Sequence, residues 1–207
     1  MLDQIDHLYR LLKNDLHRGA AVLASAFQRD PIWSKLMTDA PLKSRQAAFA
    51  GPLSYYWKYG AVYAASEKLE GVITWIPGEL ADMTMWRLFR SGALWSGMGL
   101  ADAFRLGRKM GPVFSQVQVD RKQNMQGGPY IYLPMLGVAA EHQGQGVGGT
   151  LLRALSAQCK QAGLPLYLET ETEDNVRWYT GHGFEVIKQV NLPVINLPMW
   201  EMVRKPQ

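Results

Sequence analysis

The fold is decided by the stretch His142-Gln143-Gly144-Gln145-Gly146-Val147-Gly148-Gly149-Thr150, which lies between an apolar run and an amphipathic segment. Four of these nine residues are glycine. Because glycine loses more backbone entropy on folding than any other residue, such a cluster indicates unusual φ/ψ values or a close approach of the backbone to a ligand. Glycines at the start of a helix leave N–H groups and the positive end of the helix dipole open to an anion. The stretch therefore predicts a cradle for a pyrophosphate, which a side chain at Gly146 or Gly148 would obstruct.

Three phosphate-binding motifs could account for these glycines, and a plain tight connection between strand and helix is a further alternative. A P-loop requires a lysine before its final Ser or Thr, and here Gly149 precedes Thr150. The dinucleotide fingerprint is present as Gly144-x-Gly146-x-x-Gly149. However, a polar spacer at 139–143 separates it from the strand, and too little chain follows for the second half of that fold. The third motif is Gln143-x-x-Gly146-x-Gly148 between a long strand and a helix.

On this third motif the chain resembles the GNAT family of N-acetyltransferases. The likeness is carried by residues 136–152, LGVAAEHQGQGVGGTLL, and by a second block. That block contains Leu166-Tyr167-Leu168-Glu169-Thr170 and Asn175-Val176-Arg177-Trp178-Tyr179, followed by Gly181-His182-Gly183-Phe184. The likeness is strong over about residues 130–190. It implies an α/β fold whose mixed, mostly antiparallel central sheet is flanked by helices and splayed beside Val138 to admit acetyl-CoA.

The glycine stretch and the strand before it supply most of the expected acetyl-CoA contacts. The N–H groups of residues 145–149 could hydrogen-bond the pyrophosphate, helped by the dipole of the following helix. The resemblance implies that Val138 and Ala140 pair with the pantetheine arm, and that the Val138 N–H polarises the thioester carbonyl. The residues expected to contact acetyl-CoA are Leu136, Val138, Ala140, Gln143, Gly144, Gln145, Gly146, Val147, Gly148, Gly149, Thr150, Asn175 and Tyr179. No metal is expected.

Tyr179 and Glu169 are the residues expected to carry the chemistry. Asn175 and Tyr179 are four apart and share a helix face. The resemblance implies that Tyr179 protonates the departing CoA thiolate. A phenol is protonated near pH 7, and a thiolate with a pKa of about 8.5 accepts its proton readily. The alternative for Tyr179 is a half-buried structural tyrosine. Glu169 ends a strand beside the cofactor strand and is the candidate base, with a surface or salt-bridged carboxylate as an equal alternative.

The composition is that of a folded globular protein with a mild excess of positive charge. The 207 residues include 22 Lys and Arg against 18 Asp and Glu, for a net charge of +4, and 47% are hydrophobic. No dense basic block is present, so no nucleic-acid partner is expected, whereas a mild positive field suits an anionic cofactor. The single cysteine, Cys159, excludes an internal disulfide and predicts a core role on an apolar helix face. Without a secretory leader or a membrane-spanning run, we expect a cytoplasmic protein with no membrane partner, for which a homodimer is one open arrangement.

Hydrophobic periodicity and the spacing of Pro and Gly predict strands and helices in a single domain over residues 1–207. Strands are predicted at 8–13, 60–66, 71–76, 130–138, 166–169, 184–190 and 195–203, with the second and third forming a hairpin. Helices are predicted at 15–29, 31–38, 41–58, 83–90, 93–109 and 113–125, after the glycine stretch, and from a Thr172 cap to about Gly181.

Residues 79–128 form a long helical insertion between the third and fourth strands, where the acceptor site is expected. Apolar side chains there and nearby could wall a pocket for a small, partly apolar acceptor, with ordinary helix packing as the alternative. The candidates are Met83, Trp86, Trp95, Met98, Phe104, Trp75 and Tyr55 or Tyr56. Tyr130 and Tyr132 alternate on the cofactor strand and are also candidates to face the acceptor.

The sequence therefore predicts direct transfer of an acetyl group from acetyl-CoA to an amine of a small-molecule acceptor. Two other interpretations stay open. One is a non-catalytic acyl-CoA-binding or sensor module, and the other is a nucleotide-dependent oxidoreductase that binds NAD. No motif specifies the acceptor.

Overall fold

The described part of the chain is one seven-stranded sheet with helices on both faces. The structure is a computed structural model and describes residues 2, 4–5, 7–37, 41–95, 97, 99–192 and 195–206. Its strands are β1 (Tyr9–Arg10), β2 (Ala61–Ala64), β3 (Gly71–Pro77), β4 (Ile131–Val138), β5 (Leu166–Thr170), β6 (Glu185–Leu192) and β7 (Leu197–Arg204). Its helices are α1 (Leu16–Ala26), α2 (Pro31–Leu36), α3 (Leu42–Tyr59), α4 (Met85–Ser91), α5 (Leu100–Asn124), α6 (Val147–Gln161) and α7 (Glu173–Thr180).

The strand order is β1-β2-β3-β4-β5-β7-β6, and the sheet parts between β4 and β5. Every neighbouring pair is antiparallel except β4 and β5, which are parallel. Their pairing is confined to Ile131 with Leu166 and Tyr132 with Tyr167. Beyond these residues the two strands diverge, and we call the space between them the wedge. The predicted mixed, mostly antiparallel sheet and the β2–β3 hairpin are confirmed.

A β-bulge in β4 determines which backbone groups face the wedge. The Ile131 N–H donates to the Pro165 carbonyl on the β5 side, at 2.9 Å. The Ala139 N–H donates to the Glu70 carbonyl on the β3 side, also at 2.9 Å. In a regular strand these two odd-numbered N–H groups would point the same way, because successive residues alternate. The register shift opposite Thr74 and Ile76 reverses the alternation, so the Val138 N–H points into the wedge.

Each face of the sheet has its own apolar core. One core packs α1 and α3 against the sheet and includes Leu23, Leu53 and Tyr167. The other packs α6 against the opposite face and includes Leu151 and Leu155. Cys159 also lies in this second core and is 1% exposed, which confirms its predicted core role. Burial raises the pKa of its thiol to about 12, so it stays protonated and unreactive at neutral pH.

The insertion differs from its prediction because its two expected long helices are one. Helix α5 runs through Pro112 without a break. Proline leaves the carbonyl four residues earlier, that of Arg108, without its helical donor. Both Pro112 and Arg108 are exposed, so water can satisfy this carbonyl, while Met110 and Val113 are each only 3% exposed. Their burial favours a continuous helix across the position where the sequence predicts a boundary.

The first strand is shorter than predicted, and two predicted positions lie outside the described residues. The first strand is limited to Tyr9–Arg10, because a short 3-10 turn at Lys13–Asp15 ends the extended segment. Position 38, the end of the predicted helix 31–38, and Met98 of the insertion are these two positions. Within those residues, no helix combines the length and the apolar character needed to cross a membrane.

Candidate active site

The glycine stretch forms a left-handed turn that opens helix α6. Gly144 and Gly146 have φ values of +76° and +82°, in the region that favours glycine. Gly146 is the N-cap, and the first helical hydrogen bond runs from the Thr150 N–H to the Gly146 carbonyl at 3.0 Å. The amides of residues 147–149 precede that bond, so they have no acceptor inside the helix and meet the positive end of its dipole. The backbone therefore leaves three amides free at the start of α6, which is the arrangement that an anion cradle requires.

Gly146 and Gly148 differ in the space that surrounds a side chain at each position. At Gly146 a Cβ would have nothing within 4 Å, so the requirement there is conformational. At Gly148 a Cβ would lie 3.4 Å from Val138 Cγ2 and 3.7 Å from Trp178 Cζ2. That is an ordinary contact directed at β4 and α7, so the protein itself leaves room for a Cβ at Gly148.

Polar side chains of this stretch bond to their own neighbourhood. The Gln143 Nε2 donates to the Val138 carbonyl at 3.1 Å, and the Gln145 Nε2 donates to the Glu141 carbonyl at 3.0 Å. The Thr150 hydroxyl donates to the Gly146 carbonyl at 3.3 Å. These bonds fix the turn between β4 and α6. The cradle therefore consists of backbone amides, and the glutamine side chains hold it in shape.

Helix α7 follows the end of β5 and carries Asn175 and Tyr179. The Thr172 hydroxyl caps the helix by accepting from the Asn175 N–H at 3.2 Å, as predicted. The Asn175 Nδ2 donates to the Thr170 hydroxyl at 3.0 Å, which ties α7 to the end of β5. The Tyr179 ring packs edge-on against Phe184, with ring centroids 5.4 Å apart. Burial, and to a lesser degree the negative charge of Glu171, raise the pKa of Tyr179, so its phenol keeps its proton at neutral pH.

Glu169 lies on β5 where the strand borders the wedge. Its side chain is half-buried, and its Oε1 atom is enclosed without a hydrogen-bond partner. Burial raises the pKa of this carboxyl to about 7. The positive charge of Arg121 and the phenols of Tyr132 and Tyr167 oppose the rise because they favour the carboxylate. A carboxyl with these neighbours can hold or release a proton near neutral pH.

Arg121 lies in the insertion and interacts with Glu169. The sequence alone does not identify it as a site residue. This residue of α5 is 4% exposed, and its Nη2 lies 2.8 Å from Asp82 Oδ1. Its guanidinium carbon lies 4.6 Å from the centroid of the Tyr132 ring. Tyr130 and Tyr132 are each 8% exposed on this same face. The insertion therefore contributes a cation to the candidate site.

Two more acidic residues, absent from the predicted set, surround the end of β5. Glu171 follows Glu169 by two residues, a spacing that places both on one face of an extended chain. Burial raises the pKa of Glu171 to about 8, and the charges of Asp30 and Glu169 add to the rise. Asp30 caps α2 by accepting from the Ile32 and Trp33 amides at 3.0 Å each. The Glu-x-Glu pattern at 169–171 is the feature of the sequence that could have indicated this acidic pair.

An aromatic cavity of about 190 Å³ lies beside this acidic group. Trp33, adjacent to the Asp30 cap, lines it with Phe27 and Phe49, and both phenylalanines stack on neighbouring rings of the same cluster. Phe27 also borders β4, because a Cβ on Gly137 would lie 3.3 Å from Phe27 Cε2. The cavity therefore lies next to the Asp30 cap, and Phe27 in its wall also touches the face of β4 that α1 covers.

Most aromatic residues expected to wall the acceptor pocket lie elsewhere. Trp86, Trp95 and Phe104 are 65%, 68% and 74% exposed, so they enclose nothing within the described structure. Trp75 stacks on Tyr63 in the core of the opposite face. The Tyr55 hydroxyl donates to the backbone carbonyls of Leu80 and Asp82 inside the core. Of the candidates, Tyr56 does interact electrostatically with Arg121 and Glu169, and Met83 packs against the core.

Known proteins with a similar sequence or fold indicate the class of enzyme. A sequence profile of the acetyltransferase (GNAT) domain matches residues 114–186. An uncharacterised N-acetyltransferase of Schizosaccharomyces pombe is 25% identical over 217 aligned positions, which cover 96% of this chain and 83% of that protein. The fold is similar to that of a Corynebacterium glutamicum protein described as histone acetyltransferase HPA2 and related acetyltransferase. The TM-score is 0.64 at 18% identity, over 97% of this chain and 96% of that one.

A second solved structure has the same fold. It is a putative arylalkylamine N-acetyltransferase 7 of Aedes aegypti, with a TM-score of 0.66 at 13% identity over 96% of this chain and 86% of that one. The profile match over residues 114–186, the yeast relative and the shared fold together make this chain similar to the N-acetyltransferases of the GNAT family.

Proposed function

We propose that the enzyme transfers the acetyl group of acetyl-CoA directly to the amine of a small-molecule acceptor, with both substrates bound together. One observation carries the proposal: β4 and β5 part beyond Tyr132 and Tyr167, with the Val138 N–H on one wall and Glu169 on the other. A wedge of this kind can hold a thioester between a hydrogen-bond donor and a base.

The donor side of the proposal rests on backbone groups. The free amides of residues 147–149 would hold the pyrophosphate of acetyl-CoA, because they combine unpaired donors with a helix dipole. The Val138 N–H would donate to the thioester oxygen, where negative charge develops during attack. Asn175, bonded to Thr170, sits where the opposite wall begins and would also contact the bound CoA. Bound acetyl-CoA supplies the activated acetyl group.

Glu169 and Tyr179 would divide the proton transfers. Glu169 would take a proton from the acceptor ammonium, and its pKa of about 7 suits a base that works at neutral pH. Tyr179 would protonate the departing thiolate, because burial keeps its phenol protonated. The pKa of Glu169 lies near neutrality and that of Tyr179 well above it, so above pH 7 the Glu169 carboxylate and the protonated Tyr179 phenol are present together.

The acceptor class follows from the charge and size of the neighbouring cavity. Glu169, Glu171 and Asp30 form an acidic group beside this cavity, and their carboxylate forms attract a cationic amine, while Arg45 lines the cavity itself. The adjoining aromatic cavity of about 190 Å³ is close to the volume, about 150 Å³, that holds one benzene molecule in an engineered protein cavity. We therefore propose an amine that carries one aromatic ring or an apolar body of similar size.

An acetyl-CoA-dependent thiol-release assay tests this function. The panel contains single-ring arylalkylamines, linear polyamines, amino acids, aminated antibiotics and peptides with free N-termini. We expect the highest kcat/KM for the single-ring amines. A preference for polyamines or peptides would reject the proposed acceptor. Tight acetyl-CoA binding in calorimetry without turnover on any amine would favour the non-catalytic binding module, and binding of NAD in place of acetyl-CoA would reject the donor.

A further inference from the structure

A second carboxyl faces the candidate base from the neighbouring strand. Glu169 of β5 lies directly opposite Glu201 of β7 in the antiparallel register of the two strands. Residues directly opposite one another project from the same face of a sheet, with their Cβ atoms about 4.5–5.5 Å apart. Glu201 is 0% exposed and Glu169 is half-buried. The register therefore holds two acidic side chains next to each other, where burial limits their hydration.

The two carboxyls are poorly compensated for carrying two negative charges. Glu169 Oε1 and Glu201 Oε1 are among the enclosed side-chain atoms that have no hydrogen-bond partner within the described structure. The Glu201 Oε2 accepts from the Asn124 Nδ2 of α5, which is a neutral donor. An enclosed, unpaired carboxylate oxygen is costly, and like charges directly opposite each other in a sheet repel. The pair therefore favours a state in which at least one carboxyl is protonated.

The charges around the pair do not assign its proton to one carboxyl. Arg121 of α5 favours the carboxylate of Glu169, and Lys188 of β6 favours that of Glu201. Asp120 opposes Lys188, whose Nζ lies 2.5 Å from the Asp120 Oδ1. Other titratable groups that interact with Glu169 come from α3, β4, β5 and the end of β5, and they include Tyr56, Tyr130, Tyr132, Tyr167 and Glu171.

The two carboxyls also have similar proton affinities. Burial raises the pKa of each to about 7, and a negative neighbour adds to each rise, namely Glu201 at Glu169 and Asp120 at Glu201. Two repelling groups of similar affinity lose their protons in two steps that belong to the pair rather than to either residue. The ionisation of Glu169 therefore depends on the state of Glu201.

We propose that Glu201 is a positioning residue for the proposed base: the two facing carboxyls share one proton near neutral pH, so Glu169 ionises at a higher pH than it would beside a neutral side chain. The inference rests on the proposed function, in which Glu169 takes a proton from the acceptor. In the singly protonated pair, only the form with the proton on Glu201 leaves Glu169 as a base. The acid limb of kcat/KM is therefore broader than the titration of a single group.

The substitution Glu201→Gln tests this inference most directly. Glutamine keeps the shape of Glu201, and its amide oxygen can still accept from Asn124. Sharing displaces the midpoint of the Glu169 titration by half the coupling between the two groups, so we expect the acid-limb midpoint to move at least about 0.5 pH unit lower. The limb should also narrow to that of a single group. Far below the midpoint the two profiles should coincide, because Glu201 is protonated there in the wild type.

The substitution Asp120→Asn should have the opposite effect. It removes the negative charge that disfavours the Glu201 carboxylate and leaves the Lys188 ammonium to favour it. Glu201 then ionises first, and its charge keeps the proton on Glu169 to higher pH. We expect the acid-limb midpoint to move to higher pH. Opposite shifts from two changes of equal shape do not arise from a general loosening of the fold, and Asp120→Asn carries the test if Glu201→Gln fails to fold.

Glu185→Gln is the matched control. Glu185 is an exposed carboxylate of β6 that pairs with Lys205, and its replacement should leave the midpoint and the width of the acid limb unchanged. All variants are assayed as the full chain by acetyl-CoA-dependent thiol release from pH 5 to 9, and their folding is checked by circular dichroism. A purely structural role for Glu201 would lower the plateau of kcat/KM without moving the midpoint, and that result would overturn the inference.

Glu169→Gln, assayed in parallel, separates this inference from the proposed function. If Glu169→Gln is fully active, the proposed base is wrong and the inference fails with it. If Glu169→Gln is inactive while Glu201→Gln and Asp120→Asn both keep the wild-type midpoint, the base stands and only the shared proton is rejected.

Discussion

Replacing Gly146 with alanine should weaken both the fold and the binding of acetyl-CoA. Gly146 has φ +82° and ψ −1°, and a left-handed conformation costs an L-residue about 1–2 kcal/mol. Alanine recovers about 0.4–1 kcal/mol by restricting the unfolded chain. The net loss is about 1 kcal/mol, which in a chain of this length lowers the melting temperature by about 2–4 °C. No steric clash contributes, because nothing lies within 4 Å of the Cβ position.

The effect on binding follows from the amides that Gly146 positions. A hydrogen bond to a charged group contributes about 1.5–3 kcal/mol, so misdirecting one of the three amides at 147–149 raises the Kd of acetyl-CoA by about 10- to 100-fold. Thermal unfolding and isothermal titration calorimetry measure the two effects separately.

Two matched variants control for the change. Gly146→Asn should bind better than Gly146→Ala, because asparagine tolerates the left-handed region. Gly107→Ala lies in α5 with nothing within 4 Å of its Cβ, and should raise stability by about 0.5–1 kcal/mol without affecting acetyl-CoA. The reasoning is refuted if Gly146→Ala melts at the wild-type temperature and binds acetyl-CoA with the wild-type Kd.

Three further predictions concern the titrating groups. Tyr179→Phe should lower kcat by about 10²- to 10⁴-fold with little change in the Kd of acetyl-CoA, and an unchanged kcat in the thiol-release assay would reject its role as acid. Arg121→Gln removes the charge that favours the Glu169 carboxylate, so the acid limb of kcat/KM should move to higher pH; a shift to lower pH would contradict this. The pKa values of Glu169, Glu171 and Glu201 are raised on folding to about 7, 8 and 7, so the folded state keeps protons that the unfolded chain has released. The free energy of unfolding should therefore be highest near pH 5 and fall as the pH rises to 8, as measured by urea titration; a rise over this range would show that these carboxyls are not buried in this way.

The donor side of the site was predictable because its signals are local. The glycine turn, the Thr172 cap and the spacing of Asn175 and Tyr179 each depend on residues within a few positions of one another. Hydrogen bonds between residue i and residues i+3 or i+4 are encoded in the same short segment that they stabilise. Such patterns can be interpreted without knowing how distant segments pack.

The acceptor side depends on contacts between distant segments. Arg121 reaches Glu169 only because α5 continues through Pro112 and lies across the sheet, and the sequence predicts a break there. Glu169 meets Glu201 only through the register of β5 and β7, and no local pattern specifies that register. Trp86 and Trp95 are residue types that often wall pockets, but their exposure depends on how α4 and the 3-10 turn that follows it pack.

The pH dependence of kcat/KM, measured for the wild type and for Glu169→Gln with the best amine of the panel, tests the central claim most directly. A base in the wedge predicts a wild-type rate that falls on the acid side of a pKa of about 7, and a loss of at least 100-fold in the variant across the range. An equal rate and the same profile in Glu169→Gln would contradict the account, since the amine would then lose its proton without the buried carboxylate on β5.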